Sequence, residues 1–213
     1  MAFDNDFVSP QEEYPPAADL RAIIADRPIP VLLRDTVDLI SLTNDEARKQ
    51  ALGILDELNA ALAENDLNAL QRWFFSEQAY WKDTLAMTYH LRTFLGPRVI
   101  AANLLETRRL RGINGHLELD AAVFTPATPT LQFIDASISF ETKSPSAWCS
   151  GRVLLLPVKN DNTLKWKIWV LSTKLENLDL HLEDESLLEL PGRKVDNLDQ
   201  FETDVFIIGG GNA

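Results

Sequence analysis

Ile113-Asn114-Gly115-His116-Leu117-Glu118-Leu119-Asp120-Ala121-Ala122-Val123 is the stretch on which the fold turns. Upstream of it, apolar residues recur every three or four positions. Here Ile113, Gly115, Leu117, Leu119, Ala121 and Val123 alternate with Asn114, His116, Glu118 and Asp120. A period of two belongs to a strand with one buried face. The same period returns after the Thr125–Pro129 loop, where Ile134, Ala136, Ile138 and Phe140 alternate with Phe133, Asp135, Ser137 and Ser139. Ser144-Pro145 makes a turn, and two more strands follow over residues 147–158 and 164–173, joined through Lys159-Asn160-Asp161-Asn162. Four long strands linked by turns predict an antiparallel meander.

Outward toward the N-terminus the pattern is helical. Thr43-Asn44-Asp45-Glu46 is a capping box, with a hydroxyl at the cap and a carboxylate three residues on that reaches back. Ala47, Ala51, Ile54, Leu55, Leu58, Ala61 and Leu62 then fall on one stripe, which predicts a helix over residues 44–63. Asp66 caps a shorter helix whose buried face is Leu67, Leu70, Trp73 and Phe74, and Glu64-Asn65 between the two forces a sharp bend. Residues 78–87 carry a short strand, and Gly96-Pro97 opens a third helix with apolar Ile100, Ala101, Leu104 and Leu105. One sheet face needs covering and three helices precede it, so the expected fold is α+β, three helices packed on a curved antiparallel sheet.

The flanks differ. Residues 1–43 hold Tyr14-Pro15-Pro16 and Pro28-Ile29-Pro30, which interrupt regular structure. They read as an arm along the surface, with a turn or two of helix at Leu20 to Ala25. After Thr173 the chain turns polar and acidic, with His181-Leu182-Glu183-Asp184-Glu185 inside a stretch that suits a short helix. The expected organisation is an arm (1–43), a folded domain (44–174), a linker (175–202) and a terminal strand with a glycine turn (203–213). That last segment reads Asp204-Val205-Phe206-Ile207-Ile208-Gly209-Gly210-Gly211. An apolar strand opening into glycines starts a dinucleotide-binding unit. Its third glycine would fall beyond Ala213, so Gly209, Gly210 and Gly211 bind a cofactor only in a chain that continues; the alternative is a disordered, Gly-rich terminus.

Composition narrows the function. The net charge is −12 over 213 residues, which repels nucleic acid and anionic membranes. Arg108-Arg109-Leu110-Arg111 is the dense basic run, and it suits the C-terminus of a helix better than a phosphate. Cys149 is the single cysteine, so no intrachain disulfide forms, as in a reducing compartment. With neither a basic nor an apolar leader at Met1–Asp6 and no long apolar run, the expectation is a cytoplasmic protein without a membrane span. His90, His116 and His181 show no metal-ligand spacing, so no metal site is expected.

Several stretches together carry a family resemblance: Tyr80-Trp81-Lys82-Asp83-Thr84-Leu85-Ala86, Leu91-Arg92-Thr93-Phe94, Trp166-Lys167-Ile168-Trp169 with Leu175-Glu176 and His181, and the terminal strand with its glycines. The element order resembles the nuclear transport factor 2-like (SnoaL-like) cone. The whole set resembles the N-terminal region of fungal flavin-containing, YUCCA-like monooxygenases, whose FAD- and NADPH-binding part would follow. The resemblance implies an accessory domain for dimerisation, docking or active-site shielding, with FAD and NADPH as cofactors of a full-length parent and none in this chain. It equally allows a stand-alone isomerase, cyclase or dehydratase, because catalytic relatives place an Asp or His in the cone. Desolvation raises a buried carboxyl toward neutral pKa. Asp83, after an aromatic pair on the first strand, is the first candidate acid, and Asp135 the second. Against the catalytic role, Asp83 would sit on the rim or bond a backbone amide or Arg92, and Asp135 would be an exposed face residue. Trp73, Tyr80, Trp81, Trp148 and Trp169 are the candidate pocket aromatics, which otherwise fill a core or an interface. A third class is a non-catalytic module for a small apolar ligand or a partner. Under all three a homodimer is expected, since an open sheet face needs covering.

Overall fold

A computed structural model describes residues 20–161 and 163–180, together with residues 186 and 189. The first part of the arm, His181, most of the linker and the terminal strand with Gly209, Gly210 and Gly211 lie outside the described residues.

The fold is α+β, with helices packed on a curved, unclosed sheet. Helix α1 spans Leu20–Asp26, α2 Arg34–Val37, α3 Asn44–Ala63, α4 Leu67–Gln71 and α5 Pro97–Arg111. Strand β1 spans Tyr80–Thr84, β2 Leu91–Leu95, β3 Ile113–Thr128, β4 Leu131–Lys143, β5 Ser146–Asn160 and β6 Thr163–Leu178. The sheet order is β2-β1-β6-β5-β4-β3. Strands β3 to β6 form the expected antiparallel meander. β1 joins it parallel to β6; with α5 and four strands between them in sequence, the connection is long enough for a parallel pair.

Helix α3 starts on the predicted capping box: Thr43 accepts from the Glu46 amide and Glu46 accepts from the Thr43 amide. Its predicted stripe, Ala47 through Leu62, is the buried one. Asp66 caps α4 through the Asn68 and Ala69 amides, both at 2.9 Å. α4 ends at Gln71, earlier than its apolar spacing suggests, because Trp73 and Phe75 bond the Ile168 backbone and the chain runs beside β6. Helix α5 is bounded by Gly96 and by Gly112 in the left-handed conformation, φ 63°, a position that favours glycine.

Three further features depart from the sequence expectation. β3 keeps its alternation only in part: a register shift between Leu119 and Ala121 changes the phase. Ala122 therefore faces the core and Val123 is exposed, as one extra residue in a bulge dictates. β6 runs on to Leu178 instead of ending at Thr173, because Trp148 and Ala147 of β5 pair with Asn177 and Leu178. β2 shows no apolar alternation and is nearly all exposed; its strand character comes from pairing with β1.

The core lies between α3, α5 and the inner sheet face, with Leu58, Ile100, Ile134, Ile138, Leu155 and Ile168 each essentially buried. The described end of the arm touches the sheet: Leu32 donates to Thr130 O at 2.7 Å, and Asp35 accepts from Lys159 Nζ at 2.5 Å. Leu156 is fully buried yet stands apart from the main core, on the outer face toward α2. No helix among the described residues is long and apolar enough to cross a membrane.

Candidate functional site

The sequence places Asp83 second to last on β1, two positions after Trp81 and on the same face. Both are completely buried. The strand then turns back toward β2 through residues 85–90. Asp83 holds that turn: its carboxylate accepts from the Met87 amide at 3.0 Å, the Thr88 amide at 2.7 Å and the Thr88 hydroxyl at 2.7 Å. From β6, Thr173 Oγ1 donates to it at 2.6 Å and accepts from Trp81 Nε1 at 2.9 Å. Four donors therefore occupy both carboxylate oxygens. Leu85 and Tyr89 adopt positive φ, 65° and 58°, and a buried acceptor of this kind offsets that strain.

The basic run closes helix α5 as expected, and its last arginine also holds the other side of the turn. Arg111, the last residue of α5, is only 1 % exposed. It does not sit at the helix end in solvent. Its Nε donates to Ala86 O at 2.9 Å, Nη1 bonds the Tyr89 hydroxyl and Ser144 O, and the guanidinium stands 4.0 Å over the Tyr89 ring. Its Nη2 is buried without a partner among the described residues. The spacing Ile100, Leu104, Thr107, Arg111 is the buried stripe of α5, and that periodicity was the available signal. Arg109, in contrast, pairs on the surface with Glu106. Cys149 is fully buried beside this network. Burial pushes its thiol up to about 11, opposed by the Arg111 charge and assisted by Asp83 and Glu176.

Asp135 lies on the opposite face of the sheet. It alternates with core residues Ile134 and Ala136 on β4 and binds the Arg152 guanidinium through both oxygens. The two candidate acids are not brought together. Nor do the five aromatics converge. Trp81 stacks on Phe94 inside the core, ring centroids 4.6 Å apart. Trp148 is 51 % exposed on β5, Tyr80 lines a small cleft with Gln78 and Arg27, and Trp169 meets the edge of Phe133.

Several spaces border α3, among them one of about 270 Å³ at its C-terminal half, lined by Asn59, Leu62, Arg108 and His116. Inward, between α3 and the sheet, the apolar void lined by Ile54, Leu55, Ile138, Val153, Leu155 and Ile168 measures about 10 Å³. That is one water-sized sphere at most. Outward, an open groove of about 810 Å³ runs between α3, α4 and the start of β6. It is lined by Gly53, Glu57, Arg72, Trp73, Lys165 and Lys167, among others. Trp73 is the one candidate aromatic that borders it. Among the described residues no group of three or more His, Cys, Asp or Glu side chains is placed to hold a metal.

No protein-family model matches this sequence, and no curated protein matches it significantly. Solved structures do. A domain of unknown function with a cystatin-like fold from Nostoc punctiforme is 18 % identical, with 70 % of this chain and 86 % of that one covered at a TM-score of 0.47. Yeast UBP3-associated protein BRE5 is 16 % identical, with 64 % and 98 % covered and a TM-score of 0.46. A Novosphingobium aromaticivorans protein provisionally named scytalone dehydratase is 12 % identical, with 63 % and 88 % covered and a TM-score of 0.45.

Proposed function

We propose that residues 20–180 form a non-catalytic interaction module, one that engages a partner on its surface and does not process a small molecule in its interior. One observation carries this reading. The space a cone enzyme would use is filled, at about 10 Å³, while Asp83 spends both oxygens on the β1–β2 turn. A substrate pocket usually holds several hundred Å³ and a polar group with a free valence. The void between α3 and the sheet offers neither.

The accessory role beside an FAD- and NADPH-dependent monooxygenase is the finer form of this proposal. It rests on the sequence of residues 203–211 alone. A homodimer is likewise proposed from the exposed sheet face, where Val123 and Trp148 are about half exposed.

The test is thermal. The full chain is titrated with 1-naphthol, a monoterpene alcohol and a tricyclic aromatic, and the melting temperature is followed. The module reading expects no saturable stabilisation by any of them. A dose-dependent rise that disappears in Ile138→Trp would replace it with the isomerase or dehydratase reading, and Asp83 would then return as the acid to test.

A further inference from the structure

We propose that the groove between α3 and the start of β6 docks an extended, acidic segment of a partner protein. This rests on the interaction-module reading and names the chemistry of its partner.

Charge is the first ground. The chain carries a net −12, yet Arg72, Lys165 and Lys167 gather on one groove, and none of them forms an ion pair among the described residues. Lys167 donates to Arg72 O at 2.5 Å and its Nζ lies 5.2 Å from the Trp73 ring centroid. Burial first, then the Lys165 and Arg72 charges, hold its ammonium below the ordinary lysine pKa. Like charges held together without a counter-ion are destabilising until an anion arrives. A partner carboxylate supplies that anion.

Shape is the second ground. Gly53 sits in the middle of α3, where glycine weakens a helix relative to alanine. A Cβ built there meets nothing within 4 Å, so no packing constraint inside the chain requires glycine. Its absent side chain lowers the groove wall where another backbone would approach. The α3 wall runs from Lys49 to Glu64, roughly 22 Å at a helical rise of about 1.5 Å per residue. That matches about seven extended residues. A small ligand needs no such length.

The remaining charged groups set the register. Asp66 is occupied by its cap on α4. Lys49, Glu57 and Glu64 stand on the α3 wall. The two glutamates disfavour partner carboxylates against α3 and leave the α4–β6 end to receive them.

The experiment uses the full chain and a fluorescein-labelled nonapeptide of alternating glutamate and valine, read by fluorescence polarisation. Its control alternates lysine and valine. The acidic peptide is expected to bind and to weaken as salt is raised, and the lysine peptide is expected not to bind. Lys165→Glu with Lys167→Glu should weaken binding by about tenfold or more. Gly53→Leu, which fills the groove from a good helix position, should abolish binding while the thermal melt holds or rises. No binding of the acidic peptide, equal binding of both peptides, or unchanged affinity in Gly53→Leu would each overturn the groove assignment. Such a failure with the naphthol titration still silent leaves the module reading standing. Stabilisation by naphthol would defeat that reading itself.

Discussion

The turn around Asp83 and the groove around Gly53 treat polar groups and empty space in opposite ways. At the turn, a fully buried carboxylate receives four donors and leaves no room around it. At the groove, three cations share one open wall without a carboxylate within ion-pair reach, and a helix gives up a side chain to no internal purpose. The two glycines of these regions sharpen the contrast. A Cβ on Gly151, in β5 behind the Asp83–Thr173 pair, would come within 2.5 Å of Ser172 O and 2.9 Å of Ile138 Cγ1. A Cβ on Gly53 would meet nothing. A carboxylate filled by four donors in a closed space marks structure; cations without a carboxylate beside open space mark a surface kept for something else.

Substitutions break this comparison if it is mistaken. The largest effect is expected from Asp83→Ala. It strands the Met87 and Thr88 amides and the Thr173 hydroxyl, at roughly 1 kcal/mol or more each, so about 3 kcal/mol of stability should be lost in urea unfolding. Asp83→Asn, which keeps one acceptor, should lose less. A stable Asp83→Ala variant would mean that the carboxylate is held for chemistry. Next, Gly151→Ala should lose about 1–3 kcal/mol through overpacking, measured the same way. Gly53→Ala should do the reverse and gain about 0.5–1 kcal/mol. If both glycine variants moved in one direction, the contrast between the two regions would fail.

A further effect is a pH dependence. The folded Cys149 thiol titrates near 11, raised from 9.0. Below 9 both folded and unfolded chains keep the proton and stability is unaffected. Between about 9 and about 11 the unfolded chain releases a proton that the folded chain retains, so stability falls as pH rises. The denaturation midpoint should therefore drop across that window less in Cys149→Ala than in the native chain. Equal slopes would show that the thiol is not buried as described.

Much of the fold was legible because it rests on local chemistry: the Thr43–Glu46 box, the Asp66 cap, Gly96-Pro97 at the start of α5 and the alternation of β4. What escaped depends on pairing over long distances. β2 has no periodicity of its own, the phase change in β3 is a bulge set against β4, and the last residues of β6 are strand only because β5 lies beside them. The site was legible by residue but not by role. Asp83 stood out as a polar residue after two aromatics, yet only the returning turn shows what its oxygens accept. Arg111 was hidden in a basic run although its helical spacing matched the buried stripe. The groove cations come from two stretches more than ninety residues apart, Arg72 and Lys165 with Lys167, so nothing local announced them.

The most direct measurement is a methyl and indole NMR titration of the full chain with the acidic nonapeptide and, separately, with 1-naphthol. The account predicts peptide-induced shifts at Ala60, Ala69 and the Trp73 indole, with the Ile138, Val153 and Leu155 methyls unmoved by either ligand. Saturable naphthol shifts at Ile138, Val153 and Leu155, with the groove residues silent to the peptide, would contradict it.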